Sequence, residues 1–260
     1  MFAMKKVWIT ALEHDEKQVK RVLNIVKQYG LDGNGHFWAD DLKNMAWLGP
    51  KEAILDDETA LWILLGSNKN LETASVRYGL ALLALTVRAA KGYGFPVLFV
   101  DTKGDTISDT LPTPLRGMDI ISIESSSLGA KMVARVNTPV QKIDIEYRID
   151  IHAHPHFGVW FEIGPSSDNI WNGALLGVCG GEIDSHGVGN AGKLPQKTVL
   201  EYQMKGLKLN LGEREYTAWA VKNSIDGTHS YYVRAQGISK SIVFGSYTAE
   251  DEAQMNVINF

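Results

Sequence analysis

The chain has 260 residues, 45% of them hydrophobic and 22% charged, which is long enough for two compact units with a core in each and too apolar for a mainly disordered chain. Its 26 Lys and Arg are outweighed by 30 Asp and Glu, and a net charge of −4 leaves no basic footprint for a nucleic-acid backbone. The longest apolar runs, Ala60–Leu65 and Leu80–Ala90, fall short of the roughly 20 residues that a spanning helix needs, so neither nucleic acid nor membrane is an expected partner. Cys179 has no second cysteine to pair with, and Met1–Lys6 leads straight into a strand-like run without the apolar core of a secretory leader; a reducing, cytoplasmic location is the expectation.

Lys6–Thr10 is a short run of β-formers, after which Val19, Val22, Leu23, Val26 and Tyr29 recur at helical spacing from Asp15 to a stop at Gly30. Gly35–Ala39 is a second strand candidate, and Pro50 opens a short helix over Lys51–Asp57. Ala60–Leu65 is apolar at every position, as a parallel strand buried on both faces must be. It stops at Gly66-Ser67-Asn68. Leu71–Lys91 has no proline and one internal glycine, Gly79, and so predicts a single long helix ending at Gly92. Phe95–Val100 and Asp119–Ile123 read as the fourth and fifth strands. This alternation predicts an α/β domain over residues 1–126, an open parallel sheet with helices on both faces.

Beyond Ser126 the rhythm changes, and 15 of the 25 glycines follow it. Strand-like segments recur at Lys142–Ile149, Gly158–Ile163, Gly173–Val178, Thr198–Met204, Leu207–Leu211, Tyr216–Val221, Ser230–Ala235 and Ser241–Tyr247. They predict an all-β sandwich or jelly-roll-like domain over residues 127–260. Gly180-Gly181 and Gly187–Gly192 read as a loop, and the tail from Thr248 is too short to assign.

Val7-Trp8-Ile9-Thr10 with the acidic helix start Glu13–Glu16, the segment Phe37–Leu42, and Ala60–Leu65 followed by Gly66-Ser67 together resemble the Toll/interleukin-1 receptor (TIR) family. More distantly they resemble the nucleoside deoxyribosyltransferase-like proteins, which share a flavodoxin-like sheet. The resemblance covers about residues 5–123 and implies five parallel strands in the order 2-1-3-4-5. It implies a nucleotide or NAD-like ligand at the carboxyl ends of those strands, where helix N-termini offer unpaired amides to anions. Thr10, Trp38, Asp40, Gly66, Ser67, Ser75 and Arg77 are the residues it places there. Self-association or a protein partner is implied as well. The enzymes of these families need a glutamate early in the helix after the third strand, to stabilise or capture a ribosyl cation as an N-glycosidic bond breaks. In this chain that place falls on Arg77 or Gly79, and Glu72 lies about a turn too early.

The expected function is therefore a signalling or interaction module with a degenerate nucleotide pocket, fused to a β-sandwich. The alternative is an N-glycosidic-bond hydrolase or transferase acting on NAD or a nucleoside, with Glu72 as its catalytic carboxylate. Asp40, Asp41 and Ser67 also have a plainer reading as cap and turn residues, and Glu72 as an acid at a helix start. Trp47 and Leu48, ahead of Pro50, read as exposed contact residues or as a packed loop.

His152-Ala153-His154-Pro155-His156 sets three imidazoles at period two, which in a strand share one face and suit zinc if a fourth ligand approaches. Pro155 disturbs such a strand, and a polar loop is the other reading. Asp150–Pro155 is also similar to the metal-binding start of amidohydrolases, but too few residues follow it for a (β/α)₈ barrel. Asn169, Trp171 and Asn172 with Trp160 and Phe161 carry a third functional reading, a carbohydrate or small-molecule sensor, because aromatic faces and amides suit flat polar ligands. Core packing is the plainer role for these aromatics. Cys179 reads as a buried small side chain, and the sequence assigns no cofactor.

Overall fold

The computed structural model describes residues 4–104, 111–140, 142–247 and 254–260; Met1–Ala3 and the part of the tail at 248–253 lie outside the described residues. The chain divides into two compact units, residues 1–143 and 144–260. In the first, β1 (Lys6–Ala11), β2 (Asp32–Phe37), β3 (Thr59–Gly66), β4 (Val97–Asp101) and β5 (Asp119–Ser122) pair in parallel in the order β2-β1-β3-β4-β5. The helices are α1 (Glu16–Gln28), α2 (Lys51–Leu55), α3 (Asn68–Glu72), α4 (Ala74–Lys91) and α5 (Leu128–Asn137). The Asp15 carboxylate starts α1 by accepting hydrogen bonds from the Lys17 and Gln18 backbone N–H groups at 3.0 and 3.1 Å.

Alternation along the strands sorts the core. Val7, Ile9, Leu61, Ile63, Leu98 and Val100 form one cluster with Val22 and Val26 of α1 and Leu128, Met132 and Val136 of α5. Trp8, Thr10, Trp62 and Leu64 point to the opposite face, where α2 packs on β3 and α4 packs on α2. The burial of α5 in this core moves the unit boundary past Ile143, away from the expected 126/127. One further expectation is corrected. The single helix over Leu71–Lys91 is two, because Thr73 adopts an extended backbone (ψ 114°) and its carbonyl restarts the ladder by accepting from the Arg77 N–H at 2.9 Å. Of the two readings of Trp47 the packed loop holds: it is 1% exposed and folded against α4 by the tight turn Ala46–Leu48.

The second unit holds two antiparallel sheets. One runs β10 (Met204–Leu211), β11 (Arg214–Ile225), β8 (Trp171–Cys179), β13 (Ser241–Ser246) and β14 (Met255–Asn259); the other runs β6 (Tyr147–His154), β7 (Gly158–Pro165), β12 (His229–Gln236) and β9 (Glu182–Asn190). Their inner faces meet as a sandwich, with Tyr147 edge-on to Phe244 and His186 edge-on to Trp219, ring centroids 5.0 and 4.7 Å apart. The glycine-rich stretch expected as a loop is largely β9, paired with β12. Its glycines leave room for the covering segment: a Cβ at Gly187 or Gly189 would stand 3.1 or 2.8 Å from the Pro195 ring. Thr198–Met204, expected as a strand of its own, is irregular as far as Gln203. The Thr198 hydroxyl ties it to Val188 at 2.7 Å and Tyr202 takes a positive φ of 44°, so the strand begins only at Met204.

Candidate functional site

Parallel pairing puts the carboxyl ends of β1, β2, β3 and β4 on one edge, with Ala11 level with Phe37 and Leu65, and Gly66 level with Asp101. Trp38, Gly66 and Ser67 stand at that edge. Thr10 belongs to the same strand ends, but its side chain is turned inward: it is fully buried, and its hydroxyl accepts a hydrogen bond from the Trp62 indole N–H at 2.9 Å. Ser67, 2% exposed, shares its one hydroxyl proton between Glu13 at 3.0 Å and the Asn70 side-chain carbonyl at 3.1 Å, while its backbone N–H donates to Asn70 at 2.8 Å. Asp101 closes the next loop by accepting from the Lys103 and Gly104 N–H groups, both at 2.9 Å. Glu13, Asn70 and Asp101 also stand at this edge, where the sequence reading did not place them. A polar residue directly following an apolar strand was the available signal for Asp101; nothing local marks Glu13 or Asn70.

The start of α4 is occupied by the chain itself. Ser75 donates its hydroxyl to the Asp40 carboxylate at 2.7 Å, which puts a negative charge where the helix dipole favours one. One turn further on, the helix meets Trp38: a Cβ at Gly79 would lie 2.9 Å from the Trp38 ring and 3.3 Å from Leu42 and from Trp47. Gly79 is thus the close-packing point for the loop after β2. Arg77 is half-buried, and burial together with the nearby Arg116 guanidinium lowers its pKa. Glu72 is exposed at the end of α3 and accepts from the Asn68 side chain at 2.8 Å.

In the second unit, the polar face of the four-stranded sheet brings together Asp150, His152 and Glu162. The first two are alternate residues of β6, and Glu162 on β7 sits directly opposite Asp150. One ligating atom from each lies within 4.8 Å of the others. His152 Nε2 is 2.5 Å from Glu162 Oε2, while Glu162 Oε1 accepts from the Gly192 N–H at 2.8 Å and the Ser230 hydroxyl at 2.7 Å. Burial raises the Glu162 pKa, but the hydrogen bonds from His152, Gly192 and Ser230 outweigh it and hold the carboxyl below its ordinary value. His154 and His156 stay outside this group. The strand ends at His154, residues 155–157 turn, and the His156 N–H donates to His154 Nδ1 at 3.2 Å on an exposed corner. The shared face expected of the three imidazoles therefore ends after His154.

The proposed sugar-facing set is also divided. Phe161 is in the sandwich core and Trp160 lies under the Arg234 guanidinium, whereas Asn169 and Trp171 line a cavity of about 320 Å³ with Glu146, Gln254 and Asn256. Asn172 is exposed and Cys179 half-buried at the end of β8. Among the described residues no helix is long and apolar enough to cross a membrane. No protein-family model matches the chain, and no curated protein is found to match it.

Proposed function

We propose that this is a signalling or interaction protein of TIR-like organisation, in which a flavodoxin-like unit keeps the outline of a nucleotide crevice while its own side chains fill it, and a β-sandwich supplies a second binding unit. The observation that carries this reading is the packing of Trp38 on Gly79. At Gly79, one of the two positions from which a ribosyl-stabilising carboxylate would have to project, an indole leaves no room even for a Cβ, and the other position is Arg77, a cation. Two neighbouring positions support it. The Asp40 carboxylate stands at the start of α4 where a ligand phosphate would be drawn, and the Ser67 hydroxyl is already bound to Glu13 and Asn70. A nucleotide would have to displace all three arrangements, and a phosphate would meet the Asp40 charge. The partners of such a unit are other proteins or a second copy of the chain.

The test is incubation of the intact protein at high concentration with NAD and a panel of nucleosides, with products followed by chromatography beside Glu13→Gln and Glu72→Ala. No product above the protein-free control is expected. Turnover that disappears in either variant would replace this reading with a second one, an N-glycosidic-bond hydrolase or transferase. The approach of the Glu13 carboxylate to the strand-end Ser67 hydroxyl is the observation that favours it.

A further inference from the structure

The Asp150, His152 and Glu162 group plays no part in the crevice of the parallel sheet, and its construction differs from that of a surface ion pair. Glu162 is 4% exposed, on a strand whose neighbours Phe161 and Ile163 are in the core, so its backbone cannot move to suit a partner. Its two oxygens have separate tasks. Oε1 is held by the Gly192 N–H and the Ser230 hydroxyl, with the Arg148 guanidinium 3.8 Å away, all from outside the group, and Oε2 is left facing His152. Tyr232 closes one side, its ring centroid 5.7 Å from that of His152, and its hydroxyl donates to the Asn190 carbonyl at 2.5 Å while accepting from the Lys193 N–H at 3.1 Å. The loop carrying Gly192 is thereby pinned over Glu162. Fixed orientation of a carboxylate by hydrogen bonds from the surrounding residues is the arrangement that tunes metal ligands.

The donor set has a definite preference. One imidazole nitrogen and two carboxylates give borderline and hard ligands with two negative charges, which suit a divalent transition ion such as zinc or manganese and offer nothing to a soft thiophilic one. His152 and Asp150 are half-buried, leaving a side from which water could complete the coordination.

We propose that Asp150, His152 and Glu162 bind one divalent transition-metal ion on the polar face of the sandwich, and that His154 and His156 are not its ligands. In the metal-bound form the ion would take the place of the His152 to Glu162 hydrogen bond, with the neutral imidazole carrying its one proton on Nδ1 so that His152 Nε2 and Glu162 Oε2 each offer a lone pair to the ion. The gain over the sequence pattern is the substitution of Glu162 and Asp150 for the two distal histidines.

The experiment uses the full chain without a histidine tag, stripped with a chelator and titrated with zinc in competition with a chromophoric chelator. One equivalent is expected to bind. The double variant His154→Ala/His156→Ala should retain it, whereas His152→Ala and Asp150→Asn should each weaken it tenfold or more. Glu162→Gln is read only if its circular dichroism matches the parent; Asp150→Asn, at a half-buried position, keeps the proposal testable if Glu162→Gln does not fold. Absence of binding by the parent overturns the proposal and leaves a structural ion pair. Loss of the equivalent in His154→Ala/His156→Ala, with retention in folded Asp150→Asn, overturns it in favour of the exposed histidine corner.

Discussion

His36 sits on β2 with its ring stacked on Trp8, centroids 5.9 Å apart, and its Nδ1 is buried with no hydrogen-bond partner among the described residues. Burial pushes its pKa from an ordinary 6.5 down to about 4, because the charged imidazolium would lose water and gain no acceptor. A histidine depressed in the folded state is carried neutral there, while the unfolded chain takes up a proton below about 6.5. Its contribution is therefore fully retained above pH 6.5 and is lost as the pH falls towards 4, below which nothing more is lost. The displacement corresponds to at most about 3 kcal/mol, and the partly exposed ring reduces this to about 1–2 kcal/mol. His36→Phe keeps the stacking and removes the titration. Urea midpoints of the two proteins should converge or reverse in the variant's favour between pH 7 and pH 4.5, and parallel pH profiles would dispose of this account.

At the scale of elements, α4 and the loop after β2 are held at a spacing that only glycine allows. Gly79→Ala raises helix propensity by about 1 kcal/mol but forces a methyl into contact with Trp38, Leu42 and Trp47, and overpacking of that kind costs about 1–3 kcal/mol. A net loss of about 1 kcal/mol is expected in urea unfolding, with Trp38→Leu restoring much of it in the double variant; additive losses would show that the indole is not the obstacle. The apolar runs of β3 and β4 and the Asp15 start of α1 were legible because burial on both faces and helix capping are written in adjacent residues. The break at Thr73 was not. The residues on both sides are good helix formers, and the start at Asn68 depends on Ser67 and Asn70 bonding each other. β9 was hidden for a related reason, since Gly187 and Gly189 serve a segment arriving from Pro195 and lower the very propensity that marks a strand. Glu162 was missed because one acid in Trp160-Phe161-Glu162-Ile163 gains its meaning only from Asp150 across the ladder. Alternation would have put it on the polar face, but the sequence does not print the register. The strand-end residues of the crevice fared differently: their positions were legible from the strand order, while the side chains that occupy them, Glu13 with Ser67 and Trp38 with Gly79, depend on packing between distant segments.

For the whole molecule, the change from mixed α/β to β composition near Ser126 marks a change of secondary structure and not the end of a core. Leu128, Met132 and Val136 of α5 are buried with Val22, Val26, Leu61 and Leu98, and the Lys5 ammonium donates to the Val136 carbonyl at 2.9 Å. Lys131 and Arg135 on the same helix pair with Asp119 of β5. Each of the three apolar side chains is worth about 1.5–3 kcal/mol when buried, so a chain cut before α5 forgoes an amount comparable with the whole stability of about 5–15 kcal/mol of an ordinary domain. The surface uncovered on α1 and β3 would also be apolar and prone to association. A fragment of residues 1–143 should therefore melt cooperatively, whereas residues 1–126 should give a broad or absent transition and bind a hydrophobic dye. The complementary fragments make the same point from the other side. Residues 144–260 retain every strand of both sandwich sheets, and residues 127–260 add only an amphipathic helix whose apolar face has lost its core, so the longer fragment should be the less soluble of the two. Equal, cooperative melting of 1–126 and 1–143 would mean that α5 contributes little to the first unit, and the boundary would return to the change in composition.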